Sequence, residues 1–251
     1  MGKIDDYRQT LHGLIDWEPY LLAESGLPGP RGNIELAQAV ADEGDEALFL
    51  RLLAFDADVA PTNTPQEFLA FCGVVGLGRL VAGGGRDLLP ALRQHANDPR
   101  WRMREGVAMA LQRWGEVDMD GLLAEMAAWS QGTFLEQRAA AAALCEPALL
   151  RGPVHVKRTL QILDVITASV AQAAERRSEG FQALRKGLAY CWSVAVAALP
   201  EAGKPLMERW LASDDRDVRW IMRQNLAKRR LVRCDANWVA MARSRVDAPE
   251  R

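Results

Sequence analysis

One phrase that occurs twice constrains this chain more than any other feature. The first copy, DPRWRMREGVAMAL, runs from Asp98 to Leu111, and the second, DDRDVRWIMRQNL, runs from Asp214 to Leu226. Each copy is an acidic turn, then an apolar residue followed by arginine, then a helix that ends on leucine. A helix-entry phrase that recurs is typical of a repeat protein, in which stacked helix pairs bury the apolar side that one pair cannot bury alone.

Composition and pattern both favour helices. Apolar residues make up 49% of the 251 residues but aromatic residues only 7%, and alanine and leucine supply much of the apolar content. Because β-branched runs are scarce, we expect no sheet. About a dozen helices with short turns predict an all-α, HEAT-like α-solenoid that forms a single domain over residues 1–251. Within it we distinguish acidic N-terminal helices (1–85), the clearest repeats (86–231), and a C-terminal cap helix and tail (232–251), with the loop at 146–153 as the best candidate hinge.

Several helix starts are visible in the sequence. Asn33 is a good N-cap for the segment that follows it. Thr64, Pro65 and Glu67 have the layout of a capping box with proline at the first helical position. Pro153 begins a long helix that we expect to reach about residue 177.

Charge is unevenly distributed along the chain, although the net charge is only −2. Residues 1–70 have a net charge of −9, residues 71–203 of +2 and residues 204–251 of +5. Such asymmetry can mark a nucleic-acid surface or a partner of matching charge. The alternative is solvated helix faces at opposite ends of an array.

The sequence gives no sign of a cofactor, a metal site or a membrane span. The four cysteines, Cys72, Cys145, Cys191 and Cys234, form no CxxC pair, so we expect free thiols in a reducing cytoplasm. The three histidines are isolated from other metal ligands, and no serine, histidine and acid form a nucleophile set. We see no signal peptide and no uninterrupted apolar stretch of about 18 residues. These observations weigh against an enzyme.

The chain resembles HEAT repeats of bacterial type at the two repeated phrases. HEAT units have an acidic turn between helices, an apolar-arginine pair that opens the second helix, and a body rich in alanine and leucine. The residues that fit this pattern are Asp98 with Arg102 or Arg104, and Asp214 or Asp217 with Arg219. Residues 132–139 look like a third, degenerate copy. The resemblance implies a fold and not an activity.

One HEAT-like family performs chemistry, and this chain is distantly similar to it. The alkylpurine DNA glycosylases of the AlkD kind hold duplex DNA in a basic concave groove and use tryptophans around a catalytic aspartate that opposes developing positive charge. In this sequence Asp118, with Trp114 and Trp129, is the nearest arrangement. The compact tryptophan-tryptophan-aspartate cluster of that family is absent, so no residue can be matched to it position by position.

The candidate partner-binding residues are cations and tryptophans in or near the repeated phrases. They are Arg102, Arg104, Arg138, Arg219, Arg223, Trp101, Trp220, Lys228, Arg229, Arg230 and Arg233. In HEAT-like arrays the second helices usually line the concave face, where a ladder of arginines would contact phosphates. Each group also has a structural explanation. The motif arginines would pair with acidic turns, the tryptophans would lie in the core, and the basic run at 228–233 would complement a helix C-terminus.

We therefore expect a non-catalytic binding or scaffold protein that holds a protein or a nucleic-acid phosphate backbone on its concave face. The alternative is an AlkD-like glycosylase or DNA-binding protein acting on alkylated DNA. A third possibility is a structural subunit whose acidic N-terminal end docks a basic neighbour.

Overall fold

The computed structural model describes residues 2–246. All regular secondary structure in these residues is helical. They form fifteen α-helices and one short 3-10 helix, with no strand in that range. The prediction of an all-α fold is confirmed. The chain divides into two compact units, Met1–Val117 and Asp118–Arg251. The loop at 146–153 lies inside the second unit, and the single-domain arrangement stays a prediction.

The first unit is built around one apolar helix. Its α-helices are α1 (Lys3–His12), α2 (Glu18–Ala23), α3 (Ile34–Glu43), α4 (Glu46–Leu53), α5 (Pro65–Ala82), α6 (Leu89–His95) and α7 (Trp101–Val117). Helix α5 packs against α3, α4 and α7, and α1 packs against α3. Because neighbours cover α5 on all sides, every residue from Glu67 to Gly78 is buried. Such a helix can be apolar all round.

Glycines let the neighbours of α5 approach its backbone. A Cβ atom on Gly78 would lie 2.4 Å from the Cα of Ala110 in α7. A Cβ on Gly76 would lie 2.3 Å from the Phe49 ring of α4. Both distances are far below van der Waals contact, so α5 can pack this closely only with hydrogen at these positions.

The second unit is built around two long helices. Its α-helices are α8 (Met119–Trp129), α9 (Phe134–Leu144), α10 (Pro153–Gln172), α11 (Glu179–Ala198), α12 (Pro200–Leu211), α13 (Arg216–Leu226), α14 (Arg229–Cys234) and α15 (Ala236–Val246). Helix α11 packs between α9 and α13, and α10 contacts α8, α12 and α11. Alternate helices along the chain are thus neighbours in space.

Buried hydrogen bonds fix how α11 sits against its neighbours. The Trp192 indole donates to the Thr167 hydroxyl of α10 at 2.9 Å. The Asn225 side chain on α13 donates to the Leu188 carbonyl and accepts from the Ser193 N–H, each at 2.8 Å. These groups are fully buried, so the bonds satisfy polar atoms that water cannot reach and select one register.

The sequence signals locate helix starts better than helix ends. Asn33 accepts from Leu36 N–H, as expected of an N-cap. Thr64 caps α5, but Glu67 does not complete the capping box, because its carboxylate accepts from the Asn63 N–H at 2.7 Å. The expected end of α10 at about residue 177 is wrong.

At the C-terminal end of α10, which is Gln172, one arginine satisfies two nearby carbonyl groups. The Arg176 guanidinium donates to the carbonyl oxygens of Ala171 and Ala173, at 3.1 and 3.0 Å. Backbone groups at a helix end need such partners. Sequence periodicity does not reveal a side chain that folds back in this way.

Three of the four free cysteines are buried: Cys72, Cys145 and Cys191. Burial raises the pKa of the Cys72 and Cys145 thiols well above the usual range. Cys234 is exposed.

In the described part of the chain, no helix combines the length and apolarity needed to cross a membrane.

Candidate functional site

The first repeated phrase uses its arginines inside the first unit. Arg102 is 6% exposed and forms an ion pair at 3.0 Å with Glu67, which is fully buried. The same guanidinium donates to the Gly29 carbonyl at 2.6 Å and to the Asn63 side chain at 3.2 Å. Arg102 therefore attaches the loop around Gly29 to the start of α5. Phosphate binding by Arg102 stays a prediction, and its guanidinium is already engaged.

Two arginines bind the acidic turn of this phrase, one at its carboxylate and one at its backbone. The Asp98 carboxylate binds the Arg100 guanidinium at 2.8 Å, whereas Arg104 donates to the carbonyl oxygens of Asp98 and Pro99. Burial alone would raise the pKa of Asp98. Hydrogen bonds from Arg100 and His95 outweigh that effect and hold the pKa well below its usual range. Arg102 pairs with Glu67 instead of Asp98, whereas Arg104 binds the acidic turn through these backbone carbonyl groups.

In the second phrase the acidic turn binds arginines from an earlier segment. Asp217 forms ion pairs at 2.8 Å with Arg176 and with Arg185. The Arg185 guanidinium also lies 3.6 Å from the centroid of the Trp220 ring. Arg219 donates to the Val246 carbonyl at 2.8 Å. This phrase therefore connects α11, α13 and α15.

Three further candidates lie nearer to solvent. Trp101 is 44% exposed, with the Arg102 guanidinium 4.4 Å from its ring centroid. Arg223 is exposed on α13. Arg138 is half-buried, and a Cβ on Gly187 would lie 3.4 Å from its side chain. Arg138 thus lies where α9 meets α11.

The residues of the glycosylase alternative do not form a compact group within the second unit. Asp118 is the N-cap of α8 and accepts from Gly121 N–H at 2.8 Å. Trp129 lies at the other end of α8, about 16 Å away at about 1.5 Å per residue. It is buried, and its indole donates to Glu125 at 2.8 Å. Trp114 belongs to the first unit, where it is buried. Asp118 and Trp129 therefore lie at opposite ends of α8. A catalytic role for these residues stays a prediction.

An exposed tyrosine in the second unit is surrounded by cations. Tyr190, on α11, is 43% exposed. The Arg230 guanidinium lies 4.4 Å from its ring centroid and donates to its hydroxyl, and the Lys228 ammonium lies 5.9 Å from the centroid. Lys186 is exposed one helical turn before Tyr190, on the same side of α11. We call Lys186, Tyr190, Lys228 and Arg230 the Tyr190 cluster.

Two more exposed arginines, Arg229 and Arg233, flank the Tyr190 cluster on α14. Helix α14 packs against α11. Within the described residues, no carboxylate pairs with Arg229, Arg233 or any cation of the cluster. Four carboxylates of the second unit bind other cations, in the pairs Asp120–Arg158, Asp164–Arg209, Asp217–Arg176 and Asp235–Lys204. Among the residues that the structure describes, the cluster and its flanking arginines therefore keep a positive charge without a carboxylate partner.

The helix boundaries contradict part of the interpretation that the basic run at 228–233 complements a helix C-terminus. Helix α13 ends at Leu226, and a new helix begins at Arg229 with Lys228 as its N-cap. Arg229 and Arg230 thus lie in the first turn of α14, where the helix dipole disfavours cations. The interpretation of 228–233 as the C-terminal end of one helix is wrong for these two residues.

Tyr190 and Lys186 are the functional candidates that the sequence reasoning missed. Their spacing of four residues on one predicted helix was available as a signal. The approach of Lys228 and Arg230 was not, because it depends on α14 packing against α11 some forty residues further along the chain.

Comparisons with protein-family models, with curated proteins and with solved structures each found no match to this chain. The HEAT-like and AlkD-like resemblances therefore stay predictions based on the motif residues. A search of the described residues for clusters of three or more histidine, cysteine or acidic side chains able to hold a metal ion found none.

Proposed function

We propose that this protein is a binding protein without a reaction of its own, and that the Tyr190 cluster with Arg229 and Arg233 binds a nucleic-acid phosphate backbone. The observation on which the proposal rests is that the three cations of the Tyr190 cluster and the two flanking arginines have no carboxylate partner among the described residues. Surface cations that only solubilise a protein are usually interspersed with acids.

The chemistry of the cluster suits phosphate. Three of the five cations are arginines, whose planar guanidinium groups bind phosphate oxygens with two parallel hydrogen bonds. The sequence of the second unit contains 20 bases and 16 acids, a net charge of +4, so its long-range field attracts a polyanion. An acidic protein would also be attracted. A backbone with one charge per nucleotide better matches cations on two adjacent helices.

Tyr190 orients the cluster before a ligand arrives. Its hydroxyl accepts from Arg230, and its ring holds the Arg230 guanidinium by a cation–π contact. A side chain held in place loses less conformational entropy on binding than a free one. We therefore assign Tyr190 a positioning role.

A HEAT-like arrangement is part of this proposal. It is supported by the packing of alternate helices inside each unit: α3, α5 and α7 are successive neighbours in the first, and α9, α11 and α13 in the second. Stacking of every second helix is what an array of helix pairs requires. In such an array α9, α11 and α13 would form one layer, which includes Arg138 and Arg223.

The test is equilibrium binding of a fluorescently labelled DNA duplex at low salt. We expect wild-type protein to bind and Arg229→Ala/Arg233→Ala to bind at least about tenfold more weakly, because two phosphate contacts are lost. A matched control is Arg151→Ala/Lys157→Ala, which removes the same charge from exposed positions elsewhere in the second unit.

The control should stay within about threefold of wild type. No binding by the wild-type protein, or equal loss in the two double variants, would refute the proposed site. Binding to an acidic protein but not to DNA would redirect the proposal to a protein partner.

A further inference from the structure

Two buried cysteines of the second unit lie on neighbouring helices. Cys145 directly follows the last residue of α9, and Cys191 lies inside α11, which packs against α9. The two residues are 4% and 3% exposed, and both thiols are free. The proposed function uses neither of them.

Both cysteines bind the same backbone oxygen. The Cys145 N–H donates to the Ala141 carbonyl at 3.1 Å, and the Cys191 thiol donates to the same carbonyl at 3.4 Å. One oxygen atom therefore joins the backbone of Cys145 to the sulfur of Cys191. The two cysteines are thus neighbours at the last turn of α9.

The start of α11 also faces the start of α9. A Cβ on Gly180, the second residue of α11, would lie 3.5 Å from the Cβ of Phe134, the first residue of α9. Because Gly180 faces the first turn of α9 and Cys191 contacts the last, the two helices run parallel.

The register of these parallel helices places the cysteines opposite each other. Cys145 follows Phe134 by eleven residues, and Cys191 follows Gly180 by eleven. Eleven residues are about three turns at about 3.6 residues per turn, so both positions return to the same face at the same level. A disulfide needs Cβ atoms about 3.5–4.5 Å apart. The spacing measured where the helices begin therefore suits a disulfide three turns later.

The electrostatics of Cys145 agree with this placement. Burial raises the pKa of the Cys145 thiol, and hydrogen bonding with the neighbouring Cys191 thiol raises it further. The positive charge of Arg230 acts in the opposite direction and favours the thiolate. Because Arg230 belongs to the Tyr190 cluster at the surface, the two cysteines lie just beneath it, where a reagent little larger than water can reach them.

We infer that Cys145 and Cys191 form an oxidative modification site, at which hydrogen peroxide converts the two thiols to a disulfide between α9 and α11. One thiol loses its proton and attacks a peroxide oxygen. The O–O bond breaks, the sulfur becomes a sulfenic acid, and the hydroxide that leaves takes up the proton. The sulfur of the second thiol then attacks the sulfenic sulfur, an S–S bond forms and water leaves.

In sum, the two thiols give up two electrons and two protons, and hydrogen peroxide is reduced to two molecules of water. This inference is independent of nucleic-acid binding by the second unit.

The experiment is treatment of the folded full chain with hydrogen peroxide, then removal of the peroxide with catalase, denaturation and alkylation of the remaining thiols. Intact-mass spectrometry counts the alkylated cysteines. We expect four before treatment and two after it, with a proteolytic fragment that links Cys145 to Cys191. A thiol reductant should restore the count of four, because a disulfide is reversible and a sulfinic acid is not.

Cys191→Ala removes one member of the pair and should keep its three remaining cysteines alkylatable. The matched control is Cys72→Ala, which removes a buried helical cysteine of the first unit and should still form the link. Circular dichroism of each variant establishes that it is folded. Four alkylated cysteines after treatment, a link that involves Cys72 or Cys234, or the loss of two thiols in Cys191→Ala would overturn the inference.

Discussion

At the scale of single residues, the buried charge of Glu67 depends on Arg102 for compensation. Glu67 is fully buried, and one of its carboxylate oxygens has no hydrogen-bond partner among the described residues. Burying a carboxylate is costly unless a cation compensates it. Arg102 supplies that cation, which explains why an arginine in the repeated phrase can be essential without contacting a ligand.

We expect Arg102→Met to lower the free energy of unfolding by about 3–5 kcal/mol, because it leaves the Glu67 charge buried and unpaired. Chemical denaturation followed by circular dichroism measures this loss. The double variant Glu67→Gln/Arg102→Met removes the stranded charge and should recover more than half of it. If Arg102→Met were as stable as wild type, the internal role of Arg102 would be disproved.

Asp98 should make stability depend on pH in the acid range. Its carboxylate is ionised and bound to Arg100 in the fold, with a pKa below the ordinary value of about 3.9. Because the pKa is lower in the folded than in the unfolded state, the ionised carboxylate stabilises the fold fully at pH values above the unfolded-state pKa. This stabilisation is lost as the pH falls toward the folded-state pKa. Asp98→Asn should therefore be less stable at pH 7 and lose less stability below pH 4, as measured by thermal unfolding across pH. The control Asp58→Asn, at an exposed site, should keep the wild-type dependence of stability on pH. The same wild-type dependence in Asp98→Asn would contradict the role assigned to Asp98.

At the scale of elements, close packing in the first unit depends on the glycines of α5. Glycine inside a helix is unfavourable by about 0.5–1 kcal/mol relative to alanine. Gly78 persists because the backbone of Ala110 occupies the space of a Cβ. Helix propensity alone predicts that replacing Gly78 with alanine stabilises the protein, because propensity takes no account of the neighbouring helix α7.

We expect Gly78→Ala to destabilise the protein by about 1–3 kcal/mol, because a methyl group would overpack the contact between α5 and α7. Gly187→Ala is the control within another helix. Its nearest contact is the flexible side chain of Arg138 at 3.4 Å, so it should be neutral or stabilising by up to about 1 kcal/mol. Thermal unfolding of both variants tests the difference in sign, and a stabilising Gly78→Ala would refute the packing argument.

Helix type was predictable from the sequence, but the helix boundaries that matter for function were not. Apolar periodicity and caps such as Asn33 were sufficient for the all-α assignment. The break between Leu226 and Arg229 has no glycine or proline to mark it. That break places Arg229 and Arg230 at the start of a helix and changes how they are interpreted.

At the scale of the whole molecule, charge is divided between the two units. The first has a net charge of −6 and the second of +4. This asymmetry was visible in the sequence, whereas the distribution of acid partners was not. Several carboxylates of the second unit pair with cations that are distant in sequence: Arg158, Arg209 and Lys204. The cations of the Tyr190 cluster have no carboxylate partner among the described residues.

The salt dependence of duplex DNA binding tests the central claim most directly, because each phosphate contact releases counterions. The slope of log affinity against log salt concentration changes by about 0.9 for each contact. We expect a steep negative slope for wild-type protein, a slope shallower by up to about 2 for Arg229→Ala/Arg233→Ala, and the wild-type slope for Arg151→Ala/Lys157→Ala. A wild-type affinity that does not change with salt, or an identical slope in all three proteins, would contradict the assignment of this surface to a nucleic-acid backbone.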